Sequence, residues 1–456
     1  MSNIQTMRYS VLLLLVFITS CSKEDVPTPI VKTPEVVTPI NGDGYTIETT
    51  NLDFRYGSGN LLSQAVSSTI LYTVGGVQHI ISNPSDLKPT PPMHLINKNG
   101  AWVIEGYYPE ASMDLFRNYV GVDDNGTFAI ANHGNETEVP RPYGDLFVVK
   151  TKGDKLEWTK VSKSKSFYHS VGAGDLNGDG LLDVVGLNMG TRTDWYDNLH
   201  TSLQNNGGGF DEARELISYD RWEGKGNHGA GAVIVLDIVG DKRPEIIRAD
   251  YGFNPNFPAP RYSFAILKYD DNTKKYEFYS TPKDLGVFSN NDRGATSIKA
   301  IDFDKDGDID LAISTEGINY NGIQLWVNDG SGNFKPGQNI EYAHDVLQYR
   351  EFEITDIDSD GDIDILLSPF QNGKLFRPYT SGNDPGFGIS LQNCILINEN
   401  GTYKPYSKPI NIPNIQPGFM KGVMFNGKLH FIGFEDLHNN NQLDGRFKLH
   451  DITVKL

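Results

Sequence analysis

Cysteine is almost missing from this chain: Cys21 and Cys394 are the two present in 456 residues. No disulfide framework is available, so the fold has to rest on its core. The two are not expected to pair, because Cys394 sits in the apolar run "NCILIN" and reads as a buried free thiol. Basic residues are also scarce, 40 Lys and Arg against 58 Asp and Glu, for a formal charge of -18. That balance argues against a nucleic-acid partner held by phosphate neutralisation. No HExxH zinc site, phosphate-binding loop or nucleophile elbow occurs, which leaves metalloprotease, nucleotide and serine-hydrolase readings without support. Glycine and proline, in contrast, are plentiful at 47 and 24. A large body rich in turns is expected.

The amino terminus is organised for export. In residues 1–20, Arg8 supplies a charged start and Val11 to Ile18 an apolar core too short to span a bilayer. The following "ITSC" (Ile18 to Cys21) resembles the lipobox of bacterial lipoproteins, and "SKED" (Ser22 to Asp25) is similar to the surface-export signal of Bacteroidota lipoproteins. The resemblance implies cleavage before Cys21, lipidation of Cys21, and anchorage in the outer membrane facing the cell exterior. An ordinary cleaved signal is the alternative. Residues 21–44 then read as the lipidated cysteine and a proline-rich spacer, "DVPTPIVKTPEVVTPINGDG" having four prolines and no helical periodicity.

Internal repeats decide the rest. "DLNGDGLLDVVGL" (Asp175 to Leu187), "DFDKDGDIDLAI" (Asp302 to Ile313) and "DIDSDGDIDILL" (Asp356 to Leu367) each carry oxygen side chains at positions 1, 3, 5 and 9 and glycine at position 6. Oxygen ligands alternating along a tight loop suit calcium, which accepts six to eight of them at loose geometry. The expected ligands are Asp175, Asn177, Asp179 and Asp183; Asp302, Asp304, Asp306 and Asp310; and Asp356, Asp358, Asp360 and Asp364. An EF-hand needs a bidentate Glu at position 12 and flanking helices, whereas position 12 here is apolar and the following residues alternate as a strand. A weaker copy, "DIVGDKRPEII" (Asp237 to Ile247), has Val239 at position 3 and is better read as a solvated turn. The run "DLHNNNQLDG" (Asp436 to Gly445) keeps ligand-like spacing with an ambiguous place in the unit.

These loops resemble the FG-GAP and VCBS family of calcium-loop β-propeller repeats, whose unit is strand, acidic loop, strand and outer hairpin. The resemblance implies an all-β, seven-bladed β-propeller over residues 45–456, with calcium loops between the first and second strands of several blades. Seven segments fit the inner pair, beginning near Ile70, Tyr119, His169, Gly231, Thr296, Glu351 and Gly422. The last unit ends early, and a strand from about Tyr45 to Phe54 is predicted to complete it and close the ring.

In such a ring the calcium loops line one face and the longer loops the other. That other face collects Arg117, Arg141, Arg192, Trp195, Arg261, Arg293, Arg350, Arg377 and Lys421 as candidate ligand-binding groups. Aromatic rings stack on sugars and arginines recognise carboxylate or sulfate, so an extracellular anionic polysaccharide is the expected partner, with other surface glycan-uptake proteins as possible associates. Caps at blade ends are the plain alternative for the same residues. If the protein is instead a lyase of uronate polymers, His133, His169 or His228 would be the base and Tyr143 or Tyr196 the proton donor. Protein adhesion is a third reading. Calcium is expected to be structural.

Overall fold

The computed structural model describes residues 35–53, 69–83, 91–111, 116–134, 143–188, 199–218, 229–252, 264–280, 282, 295–315, 322–341, 348–370, 389–412, 419–439 and 442–456. These residues form a seven-bladed β-propeller. Blades 1 to 5 are four-stranded antiparallel sheets. Their inner pairs are Thr69–Val74 with Val77–Ser82, Phe116–Asp123 with Thr127–Asn132, Tyr168–Gly174 with Asp183–Asn188, Gly229–Leu236 with Glu245–Gly252, and Ala295–Ile301 with Asp310–Thr315. Blade 6 begins with Gln348–Thr355 and Asp364–Phe370 and adds Ile395–Glu399 and Thr402–Pro405. Among the described residues the helical elements are three short turns. None is long and apolar enough to cross a membrane.

Blade 7 closes the ring with both ends of the chain. Phe419–Phe425, Lys428–Asn439 and Gln442–Val454 supply three strands, and Tyr45–Asp53 pairs with the last of them from Tyr45 opposite Val454 to Asp53 opposite Arg446. The expected closing strand is therefore present. Outside it lies a fifth strand, Glu35–Gly42, paired with Tyr45–Asp53. The segment read as spacer up to residue 44 thus enters the sheet nine residues earlier than the boundary at 44, and its register shifts between Val37 and Ile40, where Pro39 has no amide to donate.

Second strands are buried on both faces, which is why they read as nearly unbroken apolar runs; Asp183–Asn188 and Asp310–Thr315 are buried at every position. The core is a ring of inter-blade clusters. Ile70, Tyr72 and Ile81 of blade 1 pack on Phe128, Ile130 and Phe147 of blade 2, and Ile247 and Phe264 of blade 4 pack on Leu311 and Trp326 of blade 5. Gly186 marks how close neighbouring sheets come: a Cβ there would stand 2.6 Å from Leu146 of blade 2, and 2.7 Å from the Tyr168 ring of its own blade. At the seam of blades 7 and 1, Trp102 donates to Asp451 at 3.1 Å, while His430 pairs with the same carboxylate at 2.7 Å.

Strand direction alternates within each blade, so the loop between first and second strands leaves one face and the loop between second and third leaves the other. The acidic loops share the first face. The run Asp436 to Gly445 belongs to the hairpin between Lys428–Asn439 and Gln442–Val454, on the second face and away from the acidic loops.

Candidate metal loops and the opposite face

The four acidic loops share one backbone. Position 4 is left-handed in all of them, at Gly178, Gly240, Lys305 and Ser359, as is position 6, at Gly180, Lys242, Gly307 and Gly361. Three loops have glycine at position 6, where a left-handed φ has no steric cost. Position 9 has a fixed duty. Asp310 is fully buried, and its carboxylate accepts the Phe303 amide at 3.2 Å and the Asn328 amide of the third strand at 2.8 Å. Asp364 does the same for Ile357 and Asn398, and Asp183 for Leu176 and Gln204. These residues staple the loop to the blade. Burial pushes the carboxyls of Asp183 and Asp310 up to about 6, with the amide bonds opposing.

The loops part company at their other acids. In blade 5, carboxylate oxygens of Asp302, Asp304 and Asp310 lie within 4.8 Å of one another, and in blade 6 so do those of Asp356, Asp358 and Asp364. In each cluster one oxygen of the position-1 residue, Asp302 Oδ1 or Asp356 Oδ1, is buried and accepts no hydrogen bond. A buried carboxylate oxygen without a donor is costly. Such a site suits a hard cation. Asp306 and Asp360 stand outside the clusters, accepting the amides of Asp308 and Asp362.

In blade 3 position 3 is Asn177, so positions 1, 3 and 9 offer two carboxylates and one amide oxygen. Asp175 accepts the amides of Gly178, Asp179 and Gly180 at 2.7 to 3.0 Å, and Asn177 donates to Asp179 at 3.0 Å. Blade 4 is likewise self-closed, Asp237 accepting from Gly240, Asp241 and Lys242. Its Arg243 reaches across to the Asn177 carbonyl of blade 3 at 2.9 Å and lies 3.9 Å from the Tyr269 ring centre.

At the axis, five innermost strands meet in a charge network that the sequence did not disclose. Lys421 is 1% exposed and donates to Glu351 at 2.9 Å, to the Thr69 carbonyl at 3.2 Å and to the Tyr119 hydroxyl. Lys299 pairs with Glu353 at 3.3 Å, and Tyr119 donates to Glu353 at 3.2 Å. Burial alone would push Glu353 up, but Lys299 and Lys421 outweigh it and hold the carboxyl below its ordinary range. Lys421, expected on an open cationic ring, is instead a buried member of this plug. The available signal was the alternation of Glu351 and Glu353 inside an inner strand.

On the second face, His133 and His169 are both buried, with ring centres 4.5 Å apart. Phe167 lies 5.3 Å from His133 and 4.7 Å from Tyr143, whose own ring is 36% exposed. Bridges from Gly144 to Ser166 and from Gly134 to Tyr143 fix this patch. Cys21, Arg141, Arg192, Trp195, Tyr196, His228, Arg261, Arg293 and Arg377 lie outside the described residues, as do the side chains of Arg117 and Arg350.

The fold is that of a β-propeller. Within it, residues 302–367, which include both carboxylate clusters, match the FG-GAP-like repeat family. No curated protein matches the chain. Among solved structures, it is similar to the periplasmic gluconolactonase of Pseudomonas aeruginosa, at 11% identity over 85% of this chain and 96% of that one, with a TM-score of 0.46. A lectin of Aleuria aurantia in complex with Fucα1-6GlcNAc is 11% identical over 65% of this chain and 89% of that one, TM-score 0.36. A GH32 β-fructofuranosidase of Bombyx mori is 8% identical over 86% and 91%, TM-score 0.34.

Proposed function

We propose that the protein is a calcium-stabilised propeller that binds an extracellular, anionic polysaccharide on the face opposite its acidic loops, and that Cys21 anchors it by lipid at the outer membrane, facing outward. The observation that carries this reading is the division of labour between faces. Carboxylate clusters with buried, donorless oxygens occupy one side, and an ordered aromatic patch with the exposed Tyr143 ring occupies the other. Asp302, Asp304 and Asp310, and Asp356, Asp358 and Asp364, would hold the ions, which supply positive charge to loops that otherwise repel themselves. The polymer would lie across Tyr143, with the arginines of the long loops meeting its acid groups.

Binding is favoured over β-elimination by one feature. Of the three candidate bases, His133 and His169 are 4% and 7% exposed, beneath the surface that a polymer could reach, whereas a base must touch the proton it removes; His228 lies outside the described residues.

The test is retention on immobilised uronate and sulfated polysaccharides, with Arg293→Ala and Arg350→Ala as variants and absorbance of unsaturated product followed in parallel. Retention without absorbance, weakened in both variants, is expected. Unchanged affinity in both would remove the binding face, and new absorbance would replace binder with lyase.

A further inference from the structure

Blade 4 carries the degenerate loop, and something else in that blade has changed with it. One step beyond the ladder pairs Val184–Ser202, Leu311–Trp326 and Ile365–Leu396, the third strand places an apolar residue opposite the position-9 acid: Leu203 in blade 3, Val327 in blade 5 and Ile397 in blade 6. In blade 4 the same step beyond Ile246–Leu267 is Lys268, opposite Glu245. Its ammonium donates to Asp241, position 5 of the loop, at 2.7 Å and stands 3.7 Å from Glu245, position 9. Position 3, an oxygen ligand in the other loops, is Val239, which packs with Ile238 and Phe334 in the apolar cluster shared with blade 5. Glu245 is 1% exposed and still accepts the Ile238 amide at 3.0 Å, so the loop half of the staple is retained.

We propose that Lys268 is a tethered replacement for the metal ion of this loop, its ammonium, held by Asp241, supplying to the buried Glu245 the positive charge that a bound cation would supply to Asp310 and Asp364 in blades 5 and 6. The loop has lost one oxygen ligand and gained a fixed cation in the same blade. Burial opposes charge on Lys268, yet Asp241 and Glu245 outweigh it and raise its pKa; the same contact holds Asp241 below its ordinary range. A covalently attached charge needs no calcium in the medium, so blade 4 keeps its loop closed when the ions are withdrawn.

The test compares wild type with Lys268→Leu, Val239→Asp and the double variant, by Tm in chelator and in calcium and by calcium bound per chain in native mass spectrometry. Lys268→Leu should lower Tm by about 3 °C in chelator and equally in calcium, because Val239 offers no oxygen to recruit an ion. The double variant should recover stability only with calcium and bind one ion more than wild type, whereas Val239→Asp alone should bind no extra ion. An unchanged Tm in Lys268→Leu, or no added ion in the double variant, would overturn the proposal. The added-ion arm rests on the calcium reading of blades 5 and 6. Wild type binding no ion would sink that reading, while a Tm loss of Lys268→Leu in chelator would still support the lysine's part.

Discussion

If calcium holds the loops of blades 5 and 6, then Asp304→Ala and Asp358→Ala should separate the metal's contribution from that of the fold. Both residues are exposed, and the backbone bond seen at Asp304 is a long one, 3.3 Å from the Asp306 amide. Without metal, their removal should cost under about 0.5 kcal/mol, as for surface substitutions. With metal the arithmetic changes. Extracellular calcium modules bind at roughly 10⁻⁴–10⁻³ M, so 10 mM calcium is about 10 to 100 times the dissociation constant and stabilises each site by about 1.4–2.7 kcal/mol. Two sites give about 3–5 kcal/mol. At an unfolding entropy of roughly 2.1 cal/mol/K per residue over roughly 400 folded residues, the wild-type Tm should rise by about 3–6 °C. Each single variant should lose about half of the rise, and the double variant all of it. Differential scanning calorimetry across a calcium titration reads these numbers directly. A wild-type Tm indifferent to calcium, or a double variant that still responds in full, would refute the reasoning.

Three further outcomes follow from the same geometry. Asp310→Ala, unlike Asp304→Ala, should destabilise the chelated protein in urea titrations, because the buried amides of Phe303 and Asn328 lose their acceptor at about 1–3 kcal/mol each, offset in part by relief from burying a charge. In chelator, stability should fall as pH rises from 4 to 7: the carboxyls of Asp183 and Asp310 sit at about 6 in the folded protein against about 3.9 unfolded, so their contribution is complete below the lower value and lost through the upper. A flat profile between those values, measured by thermal melts, would contradict the burial assigned to them. Lys421→Met should cost about 3–5 kcal/mol by leaving the buried Glu351 without its cation and Glu353 with Lys299 alone, and a denaturation midpoint equal to wild type would remove the axial plug as a structural element.

The legible part of this molecule was whatever repeats. Acidic loops, unbroken inner strands and small residues at close approaches recur with enough fidelity that seven inner pairs and the closing strand could be placed from the amino acids alone. Single substitutions of role were opaque. Lys421 reads the same whether it faces water or two glutamates seventy residues upstream, and only the register shows that Lys268 stands where other blades put Leu203, Val327 and Ile397. Glu35–Gly42 fell within a segment read as spacer for its four prolines and lack of helical periodicity, yet Pro39, at an irregular point of an edge strand, breaks no ladder bond that matters. Similar ligand spacing also did not show that Asp175 accepts three amides of its own loop while Asp356 accepts one.

The clasp of blade 7 has a consequence for how the molecule is made. Tyr45–Asp53 is made before any of the six blades it helps to enclose, and its partner, Gln442–Val454, after all of them. Thr49 meets His450 across 401 positions of chain. Blades 1 to 6 can assemble in turn from local hairpins, but the ring cannot shut until Gln442–Val454 has been made, and contacts of such separation are slow to find. A chain stopped a dozen residues short would carry six sound blades and one exposed edge at each side of a gap. The arrival of Gln442–Val454 is therefore itself the signal that closes the ring.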